Sequence, residues 1–140
     1  MISKRLVILE NLQTALRTIK VVNGFLTNIG NNVVYWQDTD FEYGLSVLNF
    51  KDTIEDISQD NYPYQKTLTV EICVIEQNVE ENLLLISSKI LKDLEKTIDR
   101  FQIDSGKANI INTEKIFETK GKKALKIKVI LKITYRDFLE

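Results

Sequence analysis

The chain of 140 residues contains no histidine, and only one cysteine, one proline, one tryptophan and five glycines. Histidine is the commonest general base and a leading metal ligand. A Ser-His-Asp triad, a Cys–His nucleophile pair and a histidine-type zinc site are therefore excluded within this chain. Cys73 has no second cysteine to pair with, so the fold does not rest on an internal disulfide. An excess of one charge is missing too. Nineteen basic side chains against 20 acidic ones leave a net charge of −1, without the basic bias of a nucleic-acid binder. No apolar run approaches membrane-spanning length. The opening "MISKRLVILENLQTALRTIK" places four apolar residues before Glu10, with Arg17 and Lys20 beyond and no small-residue cleavage site. It reads as a helix and not as a secretion signal.

What is present is an ordinary globular balance, 44% hydrophobic and 28% charged, which fits a single domain over residues 1–140. Leu6, Leu9, Leu12, Leu16 and Ile19 recur three or four apart, the pattern of an amphipathic helix over residues 3–21. Ser3 is its expected N-cap and Asn23–Gly24 its expected stop. Short β-type runs follow at Phe25–Thr27 and Val33–Trp36, and "LSVLNF" at 45–50 reads as a buried strand. The polar, acidic stretch from Lys51 to Tyr64, which holds Pro63, reads as a long connection. In "KTLTVEICVIE" Leu68, Val70, Ile72 and Val74 alternate with Thr67, Thr69, Glu71 and Cys73, the mark of a half-buried strand.

A second helix is expected from Asn78, with Glu81 completing a capping box. Its apolar stripe is Val79, Leu83, Ile86, Ile90, Leu94, Ile98 and Phe101, and "DSG" at 104–106 ends it. A hairpin over 109–119 and 124–136 closes the chain through "KGKK". Its last strand alternates Leu125, Ile127, Val129, Leu131, Ile133 and Tyr135 with Lys126, Lys128, Ile130, Lys132, Thr134 and Arg136. Helices interrupting strands in this order predict an α+β domain: a mainly antiparallel β-sheet with two amphipathic helices packed on one face.

Four features bear on function. "NGFLTNIGNNVVYW" (23–36) spaces two glycines as G-x5-G, but no Lys-Ser or Lys-Thr follows and the next element reads as a strand. A phosphate loop needs a helix N-terminus there, so the stretch is expected to turn the chain. Second, residues 38–60 hold seven carboxylates against Lys51 (net −6), whereas residues 115–136 hold seven lysines and Arg136 against Glu118 (net +7). Three readings stand: solvated surfaces, with the basic strand meeting Glu71 and Glu76 on a neighbour; complementary patches suited to head-to-tail contacts between copies; or nucleic-acid binding by the basic strand, against which the net charge of −1 counts. On the second reading the candidate interface residues are Asp38, Asp40, Asp52, Glu55, Asp56, Lys126, Lys128 and Lys132. Third, Tyr35, Trp36, Phe41, Tyr43, Tyr62 and Tyr64 gather around the acidic region, as core filling or as interface. Fourth, Cys73 among Ile72, Val74 and Ile75 reads as a packing residue. Glu80, Glu81, Asp93 and Glu95 read as a solvated helix face, with no calcium loop beside them.

The order of these elements, the local string "VNGFLTNIGNNV", the "DTDF" after it and the late "ITYR" resemble the tail terminator proteins of long-tailed bacteriophages, also called tail completion or minor tail proteins. Many of those carry a proline just before the strand where this chain has Gly44 and Leu45. The resemblance implies a non-enzymatic virion protein without cofactors, assembled in the host cytoplasm and placed at the head-proximal end of the tail. It implies a homohexameric ring that caps the tail tube protein, stops tube growth and meets a head–tail connector or neck protein. Genomic DNA would only pass through the channel, and no membrane is involved. The two charge clusters would then supply the unlike surfaces that a head-to-tail ring requires.

Overall fold

A computed structural model describes residues 3–36, 46–58, 64–77, 82–103, 106–118 and 124–137. Two helices, α1 (Lys4–Arg17) and α2 (Leu83–Arg100), accompany strands β1 (Val33–Tyr35), β2 (Val47–Ser58), β3 (Tyr64–Gln77), β4 (Gly106–Glu118) and β5 (Ala124–Asp137). The strands form one sheet in the order β1-β2-β3-β5-β4. Only β1 runs parallel, to β2, and the other three pairings are antiparallel. The expected α+β class is the observed one.

The core lies between the helices and one side of the sheet. Leu48 and Phe50 of β2, Leu68, Val70, Ile72 and Val74 of β3, and the six alternating apolar residues of β5 form a single buried cluster with Ile8, Leu12 and Leu16 of α1 and Ile90, Leu94 and Ile98 of α2. Period-2 strands and period-3.6 helices thus meet along one face, as their patterns require. Each large aliphatic side chain fully buried there contributes about 1.5–3 kcal/mol through loss of apolar surface to water.

Several expectations change in detail. Ser3 does cap α1, its side chain accepting from Leu6 N–H at 3.0 Å. The buried stripe of α1 passes through Ile8, however, and Leu6 is 47% exposed. α1 stops at Arg17, where the N–H of Thr18 turns back to the Ala15 carbonyl. Gly24, at φ 88°, ends instead the short 3-10 turn Val21–Asn23. Phe25–Thr27 is not a strand; it is a tether held by α2. α2 is capped by Asn82, whose side chain accepts from Leu84 N–H at 2.9 Å. The expected start at Asn78 with Glu81 lies outside the described residues.

The largest correction concerns the acidic stretch. Residues 51–58 are not a connection but the second half of β2, paired with β3 as far as Ser58↔Gln65. A bulge at Thr53 shifts the alternation of Ile54 and Ile57 by one residue, so no single period runs through the strand. Its charged side chains are tolerated because this half is bordered by β3 on one side only.

Candidate functional site

The role of the Gly/Asn-rich segment follows from its neighbours. Gly30 donates its N–H to the Ile19 carbonyl at 2.9 Å, and a Cβ there would come within 2.6 Å of the Leu16 carbonyl oxygen. The segment is therefore pressed against the carbonyl end of α1, whose partial negative charge repels a phosphate. Asn28 locks the turn by accepting from Val21 N–H at 2.9 Å. The segment turns the chain, as its sequence predicts.

Asp93 of α2 holds the same segment from the other side. Its carboxylate accepts from Leu26 N–H (3.0 Å), Thr27 N–H (2.8 Å) and the Thr27 hydroxyl (2.5 Å). It is 1% exposed, which corrects the expectation of a solvated face. The signal was available: Asp93 sits three residues after Ile90 and beside Leu94, on the apolar stripe, with Thr97 four residues on. Thr97 also lies buried, donating to the Asp93 carbonyl at 2.9 Å. A carboxylate in that arc needs donors, and the tether supplies three.

Of the eight candidate interface residues, the six that are described divide between the two faces of the sheet. Asp38 and Asp40 lie outside the described residues, as do Phe41, Tyr43 and Tyr62. Asp52 and Glu55 are on the helix-covered side and engaged within the molecule. The Tyr35 hydroxyl donates to Asp52. Glu55 accepts from the Tyr135 hydroxyl and from Arg5 of α1, the latter at 3.0 Å. Burial, then the bond to Asp52, pushes the Tyr35 phenol up to about 12, and burial with Glu55 raises Tyr135 in the same direction. Both phenols therefore act as fixed donors at neutral pH.

Lys126, Lys128 and Lys132 share the opposite face, over which no described helix passes. Neighbours two apart on a strand stand about 7 Å from each other. Lys128 pairs with Glu71 of β3 at 3.3 Å, and that hydrogen bond, with the charge of Glu71, raises the lysine's pKa. The cross-strand reading is thus correct for Glu71. Glu76 instead accepts from the Ser46 hydroxyl at 2.5 Å. Cys73 lies beside Lys128 in the ladder, and burial raises its thiol pKa, which keeps it unreactive. Asp56 points to this face as well, in the row Asp56, Thr67, Thr134, Lys107 that runs straight across the four long strands.

The sheet therefore gathers the three lysines but separates Asp52 and Glu55 from Asp56. Sequence reasoning missed the two borders of the sheet. β4 is exposed from Ile111 to Phe117, and β2 is exposed at Thr53, Ile54, Asp56 and Ile57. An exposed isoleucine on each border is the trace that was legible. A cleft of about 340 Å³ between the start of α1 and the segment after α2 is lined by Val7, Ile8, Phe101 and Ile103, with Lys4, Asn11 and Gln102 at its rim. Among the described residues no cluster of three acidic or cysteine side chains is placed to hold a metal, and no helix is long and apolar enough to cross a membrane. No model of a known protein family matches the chain, and no curated protein matches it either.

Proposed function

We propose that this chain is a non-enzymatic virion structural protein, a tail terminator that forms a homohexameric ring on the end of the tail tube. Docked there, it buries the surface to which the next tube subunit would add, stops growth and presents the other side of the ring to a head–tail connector. DNA passes through the centre. The observation that carries this reading is the asymmetry of the sheet. Both described helices lie on one side and no described helix passes over the other, while β2 at one border is acidic and the β4–β5 hairpin at the other is basic. Each copy thus offers two unlike surfaces, which is what a closed head-to-tail ring needs.

Sedimentation of the purified chain over a wide concentration range, with negative-stain images, tests the reading. The expected result is a six-fold ring with an open centre, or a ring that forms on added tube ends. A compact two-fold dimer that never decorates tubes would overturn it. The cleft beside α1 supports a rival, a small ligand-binding domain, because its size falls at the lower end for ligand sites. That rival requires a small molecule that raises the melting temperature, since a ligand of the folded state stabilises it.

A further inference from the structure

β4 is a border strand 13 residues long. Its inner side is paired with β5 from Gly106 to Glu118; beyond the bridge from Gly106 to Ile103, its outer row of N–H and C=O groups faces no described strand. Natural proteins blunt such borders with short strands, prolines or covering elements, because an open one templates pairing with another chain. β4 has no proline, and Ile111, Ile116 and Phe117 stand exposed along it, Ile111 at 52%. The other border is built differently. β1 covers β2 only at Leu48–Phe50, so β2 from Lys51 to Ser58 forms the open edge, with Ile54 57% exposed.

We infer that these two edges are halves of one interface, in which β4 of one copy adds to the second half of β2 in the next copy, so that the sheet continues from subunit to subunit. The inference rests on the ring reading and supplies its contact.

Three observations carry it. The first is direction. β2, β3, β5 and β4 alternate, each antiparallel to the next. With four strands, an even number, β4 of one copy and β2 of a copy rotated about a ring axis run in opposite directions. The antiparallel ladder therefore continues unbroken, with the helices always on the same side. A two-fold β4–β4 contact would leave the β2 edge open, whereas ring closure satisfies both.

The second is charge. β2 carries Lys51 against Asp52, Glu55 and Asp56, a net of −2. β4 is itself balanced, with Lys107 and Lys115 against Glu114 and Glu118; the basic excess sits on the adjacent β5, where Lys126, Lys128, Lys132 and Arg136 stand against Asp137, a net of +3. In the register that keeps neighbouring copies level, Asp56 of one lies opposite Lys107 of the other, both on the uncovered face. The third is shape. The bulge of β4 falls between Ile110 and Asn112 and that of β2 between Asp52 and Ile54. The two flank the level of Leu131, one step apart, a little beyond the point where β1 ends. A bulge bends its strand, and here it lets β4 pass from the edge of β2 to the flank of β1.

Ile111→Pro and Thr53→Pro test this in the full chain. Each replaces a residue that the ladder skips, where proline is tolerated. Sedimentation equilibrium of the wild type is expected to show association, and each variant alone is expected to stay monomeric. Mixed in equal amounts, the two variants retain one intact β4 and one intact β2 edge between them, so a heterodimer forms and growth stops there. If either proline variant loses cooperative melting, Ile111→Lys and Ile54→Lys take its place. A Thr53→Pro protein that dimerises alone would show a β4–β4 contact and overturn the proposal. Association that survives both prolines would overturn it while leaving the ring reading intact. A wild type that stays monomeric at every concentration would overturn it as well, and the ring reading would then stand or fall on tail length.

Discussion

The two sides of β5 face opposite conditions. Leu125, Ile127, Val129, Leu131, Ile133 and Tyr135 are all buried beneath the helices. Lys126, Lys128, Ile130 and Lys132, interleaved with them, look out from a face no described helix covers. On the first side every methyl group has close neighbours, and shape decides which residue is tolerated. On the second, the ion pair Lys128–Glu71 is partly exposed and contributes little to stability. The covered face specifies the fold. The other face and the borders beside it carry side chains that packing constrains far less.

That division is broken most severely by Leu131→Ala. The side chain is fully buried at the centre of the cluster, so truncation is expected to cost about 2–5 kcal/mol, read from denaturant unfolding. A loss well below about 1 kcal/mol would mean that the covered face is not the core. Next comes Asp93→Ala, which leaves two backbone N–H groups and the Thr27 hydroxyl without their acceptor. Here about 2–3 kcal/mol is expected, together with faster hydrogen exchange at Leu26 and Thr27. Exchange unchanged at those amides would remove the tether from the account.

The phenols sharpen the comparison through pH. Tyr35 and Tyr135 have pKa values raised above the usual value near 10, so the fold favours the protonated ring. Their contribution is complete below about pH 10 and is lost as the pH climbs through 12, the folded value of Tyr35. Melting temperature is expected to hold to about pH 10 and to fall between there and about 12, with a smaller fall in Tyr135→Phe. The smallest effect on folding belongs to the uncovered face. Reversal of Lys126, Lys128 and Lys132 to Glu should shift stability by about 1 kcal/mol or less per site while impairing ring assembly. Normal melting with normal assembly would eliminate charge pairing through those lysines.

Much of this was legible in the sequence because one face is so regular. The alternation in β5, the stripe of α2 through Ile90, Leu94 and Ile98, and the Ser3 cap each follow a single physical period or donor–acceptor rule, and the structure keeps them. What was lost depended on contacts between distant segments. The bulge at Thr53 hid the second half of β2 behind a broken period and a run of carboxylates. Asp93 read as solvent-facing because its donors sit more than 60 residues away, in the 25–27 tether. For the candidate surface, the three lysines fell together as their spacing required. Asp52 and Glu55 were drawn inward by Tyr35, Tyr135 and Arg5, partners that no local pattern announces.

We propose that this chain ends the growth of a tail tube, and tail length measures that most directly. Particles produced without the chain should be imaged and their tubes measured from tip to end. Tubes of broad, extended length without attached heads are the expected result. Tubes of normal, uniform length, whether joined to heads or merely waiting for them, would contradict it and point to a connector on the head side.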